Sequence, residues 1–320
     1  MGHHVATALA AQGAELRLLV RSTSNLSGLE GIPADTHVGD LARPESLRSA
    51  LAECDAVLHV AADYRLWIRD PQAMYRANVD GTRELLRLAR EAKVQRFVYT
   101  SSVATMHFRA DGGVIDEDTP VSLGDMVGHY KRSKFMAERE AISAAQSGQQ
   151  VIILNPTAPV GTCDAKPTPT GRILVDFLNG KFPAYMDTGL NLVDVAEVAR
   201  IHVAALTRGS PGRRYILGGE NLTLKQIFDL MSEITGVRAP SLRIPFAVAA
   251  AYAFFEETIT GRLRGREPRA TLDEVRMGRK KMFASSARAQ RELGFRLQPV
   301  SPAMQAAIGW FRANGYAPQA

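Results

Sequence analysis

Two side chains set the first question. Tyr130 and Lys134 are four residues apart in Gly128-His129-Tyr130-Lys131-Arg132-Ser133-Lys134, and the residues that follow, Phe135 to Glu140, have a helical pattern. The spacing places phenol and ammonium on one helical face. An ammonium beside a phenol favours the phenolate, so Lys134 is expected to bring the Tyr130 pKa toward neutrality. Such a tyrosine can exchange a proton with an alcohol while a cofactor exchanges the hydride. A plain surface pair on a helix has the same spacing, so the flanking segments must decide. An apolar run, Phe97-Val98-Tyr99-Thr100, ends upstream in Ser101-Ser102. A second, Val151-Ile152-Ile153-Leu154, ends downstream in Asn155-Pro156-Thr157.

Strand, hydroxyl, helix with Tyr and Lys, strand: in this order the chain resembles the extended short-chain dehydrogenases, the NAD-dependent epimerase/dehydratase family. The resemblance implies that Tyr130 is the acid/base, that Lys134 tunes it and holds the nicotinamide ribose, and that Ser102 hydrogen-bonds the substrate oxygen, with Ser101 as the fallback. Carbonyl reduction and sugar epimerisation use these same parts.

The elements that must position these groups alternate. Gly2 to Gln12 reads as a helix closed by Gly13, and Glu15 to Val20 as a strand. Thr36 to Val38 is a short strand, Pro44 to Ala52 a helix, Ala56 to Val60 a strand ending in Ala61-Ala62, and Pro71 to Ala92 a long helix. Phe97 to Thr100, His129 to about Ala145 and Val151 to Leu154 continue the alternation, which argues an α/β fold with a doubly wound parallel Rossmann sheet. Arg172 to Asn179 and Val193 to Leu206 read as helices and Arg214 to Leu217 as a strand; from Leu222 the chain is mainly helical. The expected division is a dinucleotide-binding domain over 1–160, to which part of 190–217 returns, and a smaller substrate lobe over 161–320.

Helix before strand at the start is how a Rossmann unit continues after its first strand. Met1-Gly2-His3-His4-Val5 resembles the end of the family's Thr-Gly-x-x-Gly-x-x-Gly motif, with Gly2 as the third glycine and His4 an ordinary helix residue. The first strand and two glycines are not present, and a start at a downstream Met is expected to leave unpaired strand edges, poor stability and weak cofactor binding.

For the cofactor, an acid at the end of the second strand would accept from a ribose 2′-hydroxyl. Arg21 stands there instead and suits a 2′-phosphate, with Ser22 adding a hydroxyl, so NADP(H) is favoured over NAD. By resemblance, Asp40 and Leu41 border the adenine, Ala61 and Ala62 let the sheet edge approach the dinucleotide, Asn78 supports the active site, and Pro156 and Thr157 pack on the nicotinamide. For the substrate, Tyr64 and Trp67 can stack on a ring, Lys166 and Arg172 can bind a diphosphate, and Met106 and Asn155 complete the candidate pocket.

Several motifs extend the resemblance to the hopanoid-associated sugar epimerase group and, next to it, to dihydroflavonol 4-reductases: His59-Val60-Ala61-Ala62-Asp63-Tyr64-Arg65-Leu66-Trp67, Asn155-Pro156-Thr157-Ala158-Pro159-Val160-Gly161, Lys166 to Arg172, Tyr215 to Thr223, and Arg279-Lys280-Lys281-Met282-Phe283. It implies a cytoplasmic enzyme, near hopanoid side-chain assembly, acting on a sugar, nucleotide-sugar or ketone. A reductase, or a dinucleotide-binding module without turnover, are the alternatives. Asp194 departs from the His expected in Asn-x-Val-His-Val.

Other classes fit worse. The net charge is +6 and the pI about 9.4, but the arginines are scattered and form no basic stripe with aromatics, which argues against nucleic acid. Cys54 and Cys163 make no metal or disulfide framework, which fits a reducing compartment. His107, His129 and His202 lack metal spacing, so no metal is expected. Ser101-Ser102 lies in no Gly-x-Ser-x-Gly elbow, and no acid pair sits beside it as in the family's dehydratases. No signal-peptide pattern opens the chain. The longest apolar run, Phe246 to Phe255, is too short to span a bilayer; it is expected to be a buried helix, with peripheral membrane contact as the alternative. Long helices suit a homodimer.

Overall fold

The computed structural model describes residues 1–68, 70–263, 266, 268 and 270–319, with the Arg262 side chain left aside. Helix α1 (Gly2–Ala10) is followed by parallel strands β1 (Arg17–Val20) and β2 (Asp35–Val38). Strands β3 (Ala56–His59), β4 (Arg96–Thr100), β5 (Val151–Pro156) and, later, β8 (Arg214–Leu217) form a four-stranded parallel sheet in the order β3-β4-β5-β8. This is the α/β Rossmann-type architecture expected. Strands β1 and β3 each keep one edge without a strand partner among the described residues.

Both faces of the sheet are covered, so its central strands are apolar almost throughout rather than alternating. Between β3 and β4 run α2 (Pro71–Tyr75), a π-helical turn over Arg76–Asp80, and α3 (Gly81–Glu91). Asp70 caps α2 by accepting from the Gln72 amide, and Pro71 occupies the first turn, where its missing N–H costs nothing. Helix α4 (Gly128–Gln146) joins β4 to β5. Leu85, Leu86 and Ala89 of α3 and Ala137 and Ala141 of α4 pack on Phe97, Tyr99, Val151 and Ile153 of the sheet. Each large side chain buried there contributes roughly 1.5–3 kcal/mol. On the other face, Val98, Ile152 and Leu154 meet Val198 and Ile201 of α6 (Val195–Ala204).

A second sheet, β6-β7-β9, combines β6 (Ala158–Val160), β7 (Gly189–Asp194) and β9 (Glu220–Thr223). It packs with α5 (Pro169–Leu178), α7 (Leu224–Thr235) and α11 (Val300–Ala313) around Phe177, Phe228 and Phe311. The remaining helices are α8 (Phe246–Glu256), α9 (Leu272–Met277) and α10 (Ala287–Leu293). Among the described residues no helix is long and apolar enough to cross a membrane.

Three expectations from the sequence need correction. The segment after Pro44 is two short 3₁₀ turns, Pro44–Ser46 and Ser49–Leu51, because the Ser46 hydroxyl bonds the Arg43 carbonyl (2.6 Å) and the Asp40 amide (2.9 Å) instead of leaving the backbone to a helix. The Val193–Leu206 helix begins only at Val195: Leu190 to Val193 lie in β7, and the Asp194 carboxylate caps α6 by accepting from the Ala196 amide at 2.8 Å. The Phe246–Phe255 helix exists but is not buried; Phe254 and Phe255 are 54% and 60% exposed.

The cap gives Asp194 a definite role. Asp194→Ala should destabilise the protein by about 1 kcal/mol, read as a lower denaturant midpoint, whereas Asp194→Ser should recover most of the loss.

Candidate active site

The parallel order of β3, β4, β5 and β8 brings their carboxyl ends to one edge, the place where open α/β sheets bind ligands. The chain after β4 turns there through Ser101 and Ser102. Ser102 adopts extended backbone and its Oγ accepts from the Ala104 amide (3.1 Å), fixing a short turn over Val103–Thr105. Tyr130, in the first turn of α4, stands beside it. Burial pushes the Tyr130 phenol above its ordinary pKa, and the neighbouring Ser102 side chain works in the opposite sense. Lys134, one turn on, is 3% exposed; its ammonium donates to the Thr100 carbonyl (2.9 Å) and the Tyr99 hydroxyl (3.2 Å) and lies over the Tyr99 ring. Two of its three N–H groups are thus placed, leaving one for a ligand oxygen. Burial draws the Lys134 pKa down to about 8, and the carboxylate of Glu138 holds it up against that trend.

Tyr130 and Lys134 therefore share a face as their spacing implied, but the expected push of the phenol toward neutrality is corrected. Lys134 bonds to Tyr99 and Thr100, and desolvation governs Tyr130.

Glu138 is the residue that sequence reasoning missed. It is 2% exposed and lies one further turn along the same face. It accepts from Asn155 Nδ2 (2.6 Å) and Thr105 Oγ1 (3.0 Å), and Arg214 approaches it at 3.5 Å. The Tyr130, Lys134, Glu138 spacing was the available signal. Two expectations change with this. Asn155 is wholly buried and donates to the Ser102 carbonyl (3.1 Å) as well as to Glu138, so it braces the site and does not line a pocket. Met106 is 2% exposed, packed with Val103, Phe108 and Ile115, and likewise serves as core.

Asn78 lies in the π-helical turn, a feature that re-aims side chains at functional sites. Its Oδ1 accepts from the Asp63 amide (2.7 Å), and its Nδ2 donates to the Asp63 carbonyl (2.8 Å) and to Ser133 Oγ (3.0 Å). Ser133 in turn donates to the Tyr130 carbonyl (2.9 Å). The loop after β3, which holds Ala61, Ala62, Tyr64 and Trp67, is thereby tied to α4. The Tyr64 hydroxyl donates to the Lys166 carbonyl (3.1 Å), and the charges of Asp164 and Arg172 both act on it, so Tyr64, Lys166 and Arg172 do come together. Trp67 lies apart from them, against Gly261.

The residues expected around a dinucleotide come from several segments. Arg21 and Ser22 are exposed just past β1, and Gly2 opens α1. A cavity of about 240 Å³ is lined by their chain neighbours His3, Val20 and residues 24–29, with Cys163 and Ala165, and not by the expected cofactor residues themselves. Gly39 gives the chain close passage after β2: a Cβ there would come within 2.7 Å of Leu19. Asp40 follows, its Oδ1 accepting from the Ala42 amide (2.9 Å), and Leu41 packs against Gly81. Pro156 is buried, and Thr157 donates through both its amide and its hydroxyl to the Leu217 carbonyl. A cavity beside the amino end of α1 and an exposed arginine at the end of β1 suit an anionic ligand. Among the described residues no cluster of His, Cys, Asp and Glu could hold a metal ion.

Comparison with known proteins agrees with this geometry. Residues 1–218 match the NAD dependent epimerase/dehydratase family. The chain is 41% identical to a putative dihydroflavonol 4-reductase of Synechocystis sp. over 99% of this chain and 93% of that one. The crystal structure of gox2253 superposes with a TM-score of 0.88 at 44% identity, covering 99% of this chain and 96% of that one. PA4631, a nucleoside-diphosphate-sugar epimerase from Pseudomonas aeruginosa, gives a TM-score of 0.80 at 28% identity over 99% and 95% of the two chains.

Removing the Glu138 charge tests the electrostatics. Because that carboxylate stabilises the Lys134 ammonium, Glu138→Gln should lower the lysine pKa further. The alkaline limb of the kcat/KM profile should then move about one pH unit toward acid, with the circular dichroism of the folded protein retained.

Proposed function

The chain belongs to the NAD dependent epimerase/dehydratase family, and we propose that within it the chain is an NADP(H)-linked oxidoreductase that reduces a carbonyl of a small, ring-bearing substrate. The observation that carries this reading is the placement of Tyr130: its phenol stands beside the Ser102 side chain, one helical turn before the buried Lys134, and burial keeps it in the protonated form. A protonated tyrosine is the acid that a reduction needs.

The bound nicotinamide supplies the hydride. Ser102 donates a hydrogen bond to the carbonyl oxygen, and Tyr130 delivers its proton to that oxygen as the carbon is reduced. Lys134 stabilises the phenolate left behind, which water then reprotonates. Arg21 supports NADP(H) over NAD, since a guanidinium can hold a 2′-phosphate and cannot accept from a 2′-hydroxyl. Tyr64 supplies an aromatic face for a ring, and Lys166 and Arg172 beside it supply positive charge. The kinship with a protein called a dihydroflavonol 4-reductase supports a reductase.

A second reading is an epimerase on a sugar or nucleotide-sugar, in which the same three residues oxidise an alcohol and reduce the resulting ketone from the other face. The likeness to PA4631 and the motif resemblance to hopanoid-associated sugar epimerases favour it. The two differ in cofactor stoichiometry: a reductase consumes one NADPH per product, an epimerase consumes none.

Assays with NADPH and a panel of dihydroflavonols, cyclic ketones and nucleotide-sugars should give stoichiometric NADPH oxidation with a ketone. Tyr130→Phe should cut turnover about 10²–10⁴-fold while NADPH binding stays intact. Product without net NADPH loss would establish the epimerase, and binding without turnover on the whole panel would establish the non-catalytic module. Arg21→Asp should weaken NADPH binding by roughly tenfold and NADH binding far less.

A further inference from the structure

Helix α8 continues directly into a π-helical segment, Glu257–Leu263, so one rod runs from 246 to 263. Its burial is one-sided. Ala249 and Ala253 pack against Val275 of α9. Val248, Tyr252, Phe254, Phe255, Ile259 and Leu263 stand 42–77% exposed. Val248, Tyr252, Phe255 and Ile259 recur at steps of four, three and four, which places them along one face. Scattered exposed apolar residues need no explanation, but a continuous stripe of large ones marks a contact surface.

The charge around the stripe says what kind of surface. Residues 240–281 carry nine Lys or Arg and five Asp or Glu, so about one-eighth of the sequence holds four of the six net positive charges. Arg243, Arg266, Arg276 and Arg279 are exposed; Arg243 and Arg276 pair at the surface with Asp187 and Asp273, and Arg279 lies over the Phe246 ring at the start of the rod. A second copy of this chain would bring the same positive charge against it. An anionic lipid surface offers the complement: headgroup charge for the arginines and an acyl boundary for the aromatic stripe. The rod is too short and too one-sided to span a bilayer, and its dimensions suit lying in the interface.

We propose that the face of the 246–263 rod bearing Val248, Tyr252, Phe255 and Ile259 docks on the surface of an anionic bilayer. Gly261 of the same rod approaches Trp67, with the tryptophan Nε1 3.7 Å from where a Cβ would stand, so docking sets the candidate substrate loop beside the membrane. The proposal stands apart from the reductase reading, because it rests on exposure and charge alone.

Co-sedimentation of the full chain with vesicles tests it. The protein should pellet with vesicles containing phosphatidylglycerol, not with phosphatidylcholine alone, and high salt should release it. Phe254→Ser with Phe255→Ser should weaken binding at least roughly tenfold; both side chains face solvent, and an unchanged melting curve confirms the fold. Failure of the folded wild type to bind anionic vesicles, or equal binding by the double variant, overturns the proposal. So does a wild-type dimer that the double variant converts to monomer, since the stripe would then join two copies.

Discussion

The site depends on two buried charges one turn apart in α4, the carboxylate of Glu138 and the ammonium of Lys134, each held by its own fixed partners. Both are withdrawn from water, at 2% and 3% exposure. Two buried charges carry a desolvation cost that their attraction alone does not offset. Here the balance comes from fixed partners: Thr105, Asn155 and Arg214 on the carboxylate, and Tyr99 and Thr100 on the ammonium. Those partners come from β4, the turn after it, β5 and β8. One helical face thus sets the height of Tyr130 over the ends of β4 and β5, with Arg214 reaching in from the start of β8, and Asn155 passes the constraint to Ser102 through its carbonyl. A parallel sheet makes this economical, because β4 and β5 point their carboxyl ends at the same edge.

A second layer of constraint holds the loops. Asn78 in its π-helical turn fixes Asp63 on one side and Ser133 on the other, so the segment carrying Tyr64 and Trp67 moves with α4. The part of the sheet before β3 is held differently. Among the described residues β1 and β2 pair only with each other, and α1 is secured by packing Val5 and Leu9 against Ala199 and Val203 of α6. His4 adds a ring nitrogen bonded to the Thr162 carbonyl at 2.9 Å. The edge that carries the catalytic groups is therefore braced by strand pairing on both sides of β4 and β5, whereas the Arg21 side rests mainly on helix packing.

Much of this was legible in the residues. The alternation of apolar strands with helices gives the α/β order, because strands covered on both faces are almost uniformly apolar. The Tyr-Lys spacing and the serines after β4 give the candidate catalytic set. What stayed hidden depends on tertiary contacts. Met106 and Asn155 lie in the right segments, but whether a side chain faces a pocket or the core is decided by neighbours distant in sequence. Leu190 to Val193 continue smoothly into the apolar pattern of α6, and only pairing with β6 and β9 makes them a strand. The Phe246–Phe255 helix misleads for the opposite reason: its composition is that of a core helix, yet Ala249 and Ala253 are its buried residues, with Phe246 and Ala250 partly covered. The sense of the Tyr130 pKa likewise follows from burial, which spacing does not encode.

The most direct measurement follows the hydride. NADPH carrying deuterium at the transferable position of nicotinamide C4 is turned over with the ketone that supports oxidation, and the product is examined by mass spectrometry and proton NMR. If Ser102, Tyr130 and Lys134 form a carbonyl-reducing site, one deuterium appears on the carbinol carbon, on a single face, with NADP⁺ formed in equal amount. Product that carries no deuterium, or forms without NADP⁺, would contradict it.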